Sequence, residues 1–335
     1  MPPEILDVAP LRAKHLPRFR RAALAERPAF RLTDRDREAL KIIYDNRWIT
    51  AELLQDLLSP VPLTDRQQEA LAKLIAKKKA TAEGQPQRTK REIQRRLQLM
   101  YHHGYVQRHK LADGEAIAYA LGNMGADQLM MQYEIDRQEI EWTTKNRESS
   151  ERYVRHGLMV THLRHAVVMS LRVQQDLHLE LWQPGGSFLA KVQYQDTVRT
   201  PSGPRTQPVD GVVKPDSLFL ITGRGPGIHY FPEADRSTMT NARYLTKLKA
   251  YYAFWATYVR NSQSSRIKRM RVLTITRSEA RKENLRKIAQ QVSPEAKGLF
   301  WFICEQAYLG NPQALFEPTW QTLEDNSLRR LYPND

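Results

Sequence analysis

The stretch QRTKREIQRRLQLMYHHGYVQRHKL, Gln87–Leu111, decides how the first half of the chain folds. Ile93, Leu97 and Met100-Tyr101 recur at three- and four-residue spacing, which places them along one face of a helix. Arg88, Lys90, Arg91, Gln94, Arg95 and Arg96 cover the other face, with Thr89 among them. Gly104 permits a left-handed cap at the helix end, and Tyr105–Arg108, the Asp113-Gly114 turn signal and Ala116–Tyr119 read as a hairpin.

Working back from that stretch, Thr33 or Asp34 caps a helix whose apolar positions are Leu40, Ile43 and Tyr44 and which ends near Asn46-Arg47. Thr50 caps a second, short helix with Leu53, Leu54, Leu57 and Leu58 on its apolar face, stopped by Ser59-Pro60. Residues 60–86 read as a Gln/Lys-rich insertion, and 1–31 as a basic N-terminal arm that orders on binding. Helix, helix, basic helix and hairpin make a winged helix-turn-helix over 32–145. In that arrangement the basic helix enters the major groove, where Arg and Gln reach base edges and Lys and Arg pair with phosphates. The candidate DNA-binding residues are therefore Arg88, Thr89, Lys90, Arg91, Gln94, Arg95 and Arg96, with Arg108 on the hairpin. The plainer reading, a solvated charged face, explains the charges but not the order of elements. Adjacent His102 and His103 cannot share a helix face as metal ligands and are expected to interact with the helix C-terminus.

The 335 residues exceed one ordinary core, and the formal net charge of +15 makes a polyanion the leading partner. Cys304 is the single cysteine, so an intramolecular disulfide and a Cys-rich zinc site are excluded and a reducing compartment is expected. Acids and prolines near the N-terminus do not suit a signal peptide, and no apolar run approaches the ~20 residues that span a bilayer. The expectation is a cytoplasmic protein with no membrane partner.

A polar, charged stretch around Lys145–Ser150 marks a boundary. Beyond it a long helix carries Leu158, Leu163, Val167 and Leu171, with His162 and His165 read as core or rim residues rather than ligands. Strand-like runs then alternate with helices: LHLELWQPG, VVKPDSLFLIT, GIHYFPEADRS, RMRVLTITRS and GLFWFICEQA. This predicts an α/β domain with a mixed central sheet over 151–323 and a tail over 324–335. The GRGPG segment lacks the Lys-Ser/Thr of a phosphate loop and reads as a hairpin turn. Pro232, lacking an N–H, favours an edge or bulged strand.

Asp216 opens one strand, Glu233 and Asp235 project together from the next, and Lys247 and Tyr251 lie on the following helix. Three carboxylates so placed are a hard oxygen site suited to Mg²⁺ or Mn²⁺. Asp216, Glu233, Asp235 and Lys247 are the candidate catalytic residues, the three acids the candidate metal ligands, and Tyr251 a packing residue. Chance clustering of acids at strand ends is the plainer alternative.

With those motifs quoted, the chain resembles the replication-relaxation family of plasmid and mobile-element proteins. The likeness rests on Leu32–Ile49, Arg91–Arg108, Pro215-Asp216, Glu233–Thr238 and Lys247–Tyr251, and its most specific parts are the E-x-D-R-S segment and the K-L-x-x-Y helix. The resemblance implies an α+β protein, a winged helix joined to a restriction-endonuclease-like domain, acting at an origin in replication, DNA relaxation or mobilisation. Where nucleases of that superfamily carry Lys, this chain has Asp235, and Lys247 would substitute from the helix. A Mg²⁺-dependent nicking enzyme and a non-catalytic replication initiator or transcriptional regulator are both compatible, with a winged-helix restriction enzyme as a third reading. Double-stranded DNA is the expected partner, and a second copy of the chain and replication or mobilisation proteins are further candidates.

Overall fold

Helix α1 (Asp34–Asn46) begins where the sequence supplies its cap. Asp36 N donates to Thr33 Oγ1 at 3.3 Å and Thr33 N to Asp36 Oδ2 at 2.8 Å, a reciprocal capping box. Thr50 repeats the device for α2 (Ala51–Leu57), accepting from Leu53 N at 3.3 Å. A computed structural model describes residues 16–58, 90–112, 116–136, 140, 146, 148–174, 176–201, 203–223, 225–237, 239–261 and 265–332. The 60–86 insertion and the Asp113-Gly114 turn lie outside them, as do Arg88 and Thr89. The described residues form a mixed α+β protein with seven α-helices and a seven-stranded mixed sheet, and the chain divides into two compact units, 1–158 and 159–335.

In the first unit, α3 (Lys90–His102) leads into β2 (Val106–His109), which pairs antiparallel with β3 (Ala118–Leu121). Strand β3 also pairs with β1 (Ile49–Thr50), giving the order β1-β3-β2, and α4 (Asn123–Tyr133) follows. Gly104 turns the chain from α3 into β2 with a φ of 84°, and Tyr105 N donates to Met100 O at 2.9 Å. Leu40, Ile43, Leu54, Ile93, Leu97 and Val106 meet in one core. Each such aliphatic contributes about 1.5–3 kcal/mol by leaving water.

Helix α5 (Glu151–Leu171) opens the second sequence half. The sheet is built from β4 (His178–Pro184), β7 (Ser217–Thr222), β8 (Ile228–Asp235), β9 (Met270–Thr276), β10 (Phe300–Cys304), β11 (Trp320–Gln321) and β12 (Leu328–Arg329). Its order is β12-β11-β10-β9-β8-β7-β4. Strands β8, β9 and β10 run parallel, connected by α6 (Asn241–Phe254) and α7 (Glu279–Ala289), and every other pairing is antiparallel. Side chains alternate between faces along a strand. Phe231 and Val272 accordingly join Leu248, Tyr251 and Phe254 of α6, whereas Tyr230 and Leu273 join Leu163 and Val167 of α5.

Four features differ from the sequence reading. Strand β8 is central, not an edge, and shows no register shift: Pro232 stands opposite Leu273 of β9. The Pro232 carbonyl accepts from Asp216 N at 3.0 Å. Because a strand residue's N and O point to the same side, the missing N–H faces away from β9, past the last β7 pair, Phe219 with Tyr230. Second, residues 324–332, read as part of a tail, supply β12 and bury Leu331 and Tyr332. Third, the arm is packed from residue 16 onward, with Leu16 and Ala22 buried against Leu99. Fourth, Ala190–Thr200 (β5) and Gly203–Val213 (β6) form a separate two-stranded ribbon that the sequence reading passed over. Its signals were the Pro201–Pro204 turn and the alternation of Val192 and Tyr194, diluted by Gln and Thr between them.

Candidate functional site

Two sets of residues carry functional potential, one in each unit. In the first, Lys90, Arg91, Gln94 and Arg95 are exposed on α3, on the face opposite Ile93, Leu97 and Met100. Lys90 pairs with Glu52 of α2, and both side chains are half exposed, so the pair contributes little to stability. Arg91, Gln94 and Arg95 fall one turn apart and form a continuous surface of cationic and amide donors.

Arg96 and Arg108, predicted alongside them, are built into joints instead. Arg96 clasps Asp36 with two nitrogens, donates to Arg31 O at 3.0 Å, and stacks over Phe30 at 4.5 Å. Asp36 is only 2% exposed. Burial alone would raise its carboxyl, but hydrogen bonds from Arg96 and Thr33 outweigh that and hold it below its ordinary value. Arg108 donates to Arg18 O at 2.8 Å and lies over the rings of Tyr101 and Tyr119.

The two histidines anchor the arm rather than the helix terminus. His102 is fully buried and its Nδ1 accepts from Ala22 N at 3.0 Å. Burial pushes this imidazole down to about 4, with the Arg108 charge adding to the effect. His103 Nε2 donates to Pro28 O at 3.0 Å and its ring stacks on Phe30. Arg21 Nε donates to Tyr101 O at 3.0 Å, and Tyr101 OH to Phe19 O at 2.7 Å. Arg21 was not singled out from sequence, because its partners lie some eighty residues away and leave no local pattern.

In the second unit the predicted acids do come together around β8. Asp216 sits at the turn before β7, where its Oδ2 accepts from Ala234 N at 2.8 Å. Glu233 is 4% exposed, and its two oxygens receive Lys247 Nζ and Tyr251 OH from α6. Tyr251 is therefore more than a packing residue. Burial pushes the Glu233 carboxyl up to about 7, with Lys247 opposing and Asp216 reinforcing the rise. Burial works to lower Lys247, but Glu233 and Asp216 outweigh it and hold the ammonium above its ordinary value. Burial, reinforced by Glu233, raises the Tyr251 phenol well above its usual range, so it remains a proton donor.

Asp235 shares the Glu233 face but meets a different cation. Arg281 of α7 clasps it from Nε at 2.8 Å and Nη2 at 3.0 Å, and Ser237 N donates to it at 2.8 Å. Ser237 adopts a left-handed φ of 62° that this contact helps hold. Arg281 also donates to Met239 O and Asn241 Oδ1, tying the β8–α6 connection to α7. The expected three-acid metal set is thus divided: Glu233 belongs to Lys247 and Tyr251, Asp235 to Arg281. Among the described residues no three His, Cys, Asp or Glu side chains are placed to hold a metal ion. As they stand, these residues do not fit a three-carboxylate Mg²⁺ or Mn²⁺ site. No helix of the described residues is long and apolar enough to cross a membrane.

Comparison with curated proteins and with solved structures finds no match. The replication-relaxation family matches residues 40–270, a span that runs from α1 through the α3 face and the acid cluster to the first residue of β9. This chain belongs to the replication-relaxation family.

Proposed function

We propose that the first unit is a winged helix that binds double-stranded DNA with α3 in the major groove, and that the chain serves the replication or relaxation of a plasmid or other mobile element in the cytoplasm. The observation that carries this reading is the α3 face: Lys90, Arg91, Gln94 and Arg95 are exposed on a helix whose opposite face is buried. Arg and Gln read base edges there and Lys and Arg neutralise phosphates. The net charge of +15 favours the encounter. The test is fluorescence anisotropy with duplex DNA, comparing the wild type with Arg91→Ala/Arg95→Ala.

The second unit is read as a restriction-endonuclease-like scaffold. Helix α5, three antiparallel strands β4, β7 and β8, a crossover helix α6 and the parallel β9 support that reading. Its acids are compensated by Lys247 and Arg281, which favours a non-catalytic initiator or regulator that uses the unit to assemble with a second copy or with replication or mobilisation proteins. One observation supports nicking as a second reading: Asp216 lies beside Glu233, with Lys247 at hand. Supercoiled plasmid bearing the element's own origin, incubated with Mg²⁺ or Mn²⁺, separates the two. Nicking by the wild type but not by Asp216→Asn/Glu233→Gln establishes an active site, whereas binding without nicking by either supports the initiator.

A further inference from the structure

The β5–β6 ribbon is the largest feature that the proposed function leaves unused. Among the described residues its strands pair only with each other, through eleven consecutive residue pairs from Ala190 with Val213 to Thr200 with Gly203. At ~3.4 Å per residue each strand is roughly 35 Å long. A two-stranded hairpin is marginal by itself, so its base must be held. Val192 and Val213 are buried in the cluster that contains Leu248, Ala250 and Tyr251 of α6, and Tyr194 packs against it. At Gly211 a Cβ would come within 2.9 Å of the Tyr194 ring and 3.0 Å of Ala250 Cβ, so the close approach of ribbon to helix requires glycine. Lys249 of α6 pairs with Asp196 further out.

Beyond that base Gln195, Thr197 and Pro204–Pro208 are exposed. A long ribbon with two open edges invites strand addition unless its surface is polar. This one presents Lys191, Gln193, Gln195 and Thr197 exposed on β5, and Arg205, Thr206 and Gln207 exposed on β6. Both carboxylates on the ribbon are engaged internally. Asp196 receives Lys249 and its neighbour Thr197 N, and Asp210 accepts from Gln193 Nε2 at 3.2 Å. Among the described residues Lys191 and Arg205 pair with no carboxylate. What remains outward is largely amide, hydroxyl and cationic, beside Val212 and the Asp210 carboxylate, whose partner is a neutral amide; Lys249 compensates Asp196.

We propose that the β5–β6 ribbon is a second DNA-contacting element, entering a major groove of duplex DNA. The groove admits a two-stranded ribbon as readily as a helix, and Gln, Thr and Arg are the side chains that read base edges within it. Lys191 and Arg205 supply phosphate contacts, and the packing on α6 sets the ribbon's direction before DNA arrives. This inference rests on the reading of the chain as a duplex-binding protein, and assigns part of that binding to the second unit.

The experiment measures anisotropy of a labelled 40-bp duplex over a range of salt for the full chain, for Lys191→Glu/Arg205→Glu, for a variant with residues 197–206 replaced by Asn-Gly, and for Arg91→Ala/Arg95→Ala. Unchanged thermal melts establish that each variant is folded. Both ribbon variants are expected to bind at least tenfold more weakly. The charge-reversal variant should also lose about 2 from the slope of log affinity against log salt, at ~0.9 per phosphate contact. Wild-type affinity in both ribbon variants, alongside lost affinity in the α3 variant, overturns the ribbon proposal and leaves the α3 reading intact. No duplex binding by the wild-type chain overturns both.

Discussion

Replacing Glu233 by Gln tests whether the acid at the centre of β8 is a compensated buried charge. Glu233 is 4% exposed and faces Lys247, Tyr251, Asp216 and the ring of Tyr244. Burial raises its carboxyl from 4.5 to about 7. A raised folded-state value means that the folded protein favours the protonated form. The contribution to stability is full below about pH 4.5 and is lost as pH rises through about 7. The gap of 2.5 units, at roughly 1.36 kcal/mol each, is about 3 kcal/mol, of which about 2 kcal/mol falls between pH 5.5 and pH 8. Glu233→Gln removes that titration, whereas the groups common to both proteins cancel in the difference. Urea unfolding followed by tryptophan fluorescence at the two pH values should show the wild type losing about 2 kcal/mol more than the variant on going to pH 8. Equal pH dependence in the two proteins would refute the buried-charge account of the cluster.

Arg96→Ala should cost the first unit about 2–4 kcal/mol, because it leaves Asp36 at 2% exposure with only Thr33 to satisfy it, and Arg96→Lys should not restore a bidentate clasp. A thermal melt reads the loss. His102 has a lowered folded-state value, about 4 against an ordinary 6.5, so its contribution is present above pH 6.5 and is lost as pH falls through about 4. Hydrogen exchange of the amides over 16–30, corrected for intrinsic rate, should therefore be less protected at pH 5 than at pH 7.5. Unchanged protection would remove His102 from the anchoring of the arm.

Local chemistry made part of this architecture legible in the sequence. The caps at Thr33 and Thr50, the apolar spacing of α3 and the turn at Gly104 act over a few residues, and each stands where expected. The Gly-rich link between β7 and β8 is likewise a hairpin turn. The placement of Asp216, Glu233 and Lys247 around β8 followed from strand alternation and helix order.

What stayed hidden depends on distant partners. Nothing near Arg96 distinguishes it from Arg95, since Asp36 lies sixty residues away. Asp235 looks like a third metal ligand until Arg281, forty-six residues on, closes over it. Other cations are likewise absorbed by distant or local partners: Arg271 stacks on Trp301, Arg281 holds Asp235 and Lys282 is buried beside Glu279. Pro232 is tolerated in a central strand because the side lacking its N–H is beyond the β7 ladder, a fact of register rather than of composition.

The most direct measurement is the salt dependence of duplex binding by the full chain and by Arg91→Ala/Arg95→Ala. If both side chains neutralise phosphates, the variant should lose about 1.8 from the slope of log affinity against log salt, which is roughly 60-fold in affinity at 0.1 M salt. A folded variant with wild-type affinity and wild-type slope would contradict the assignment of α3 as the DNA-reading helix.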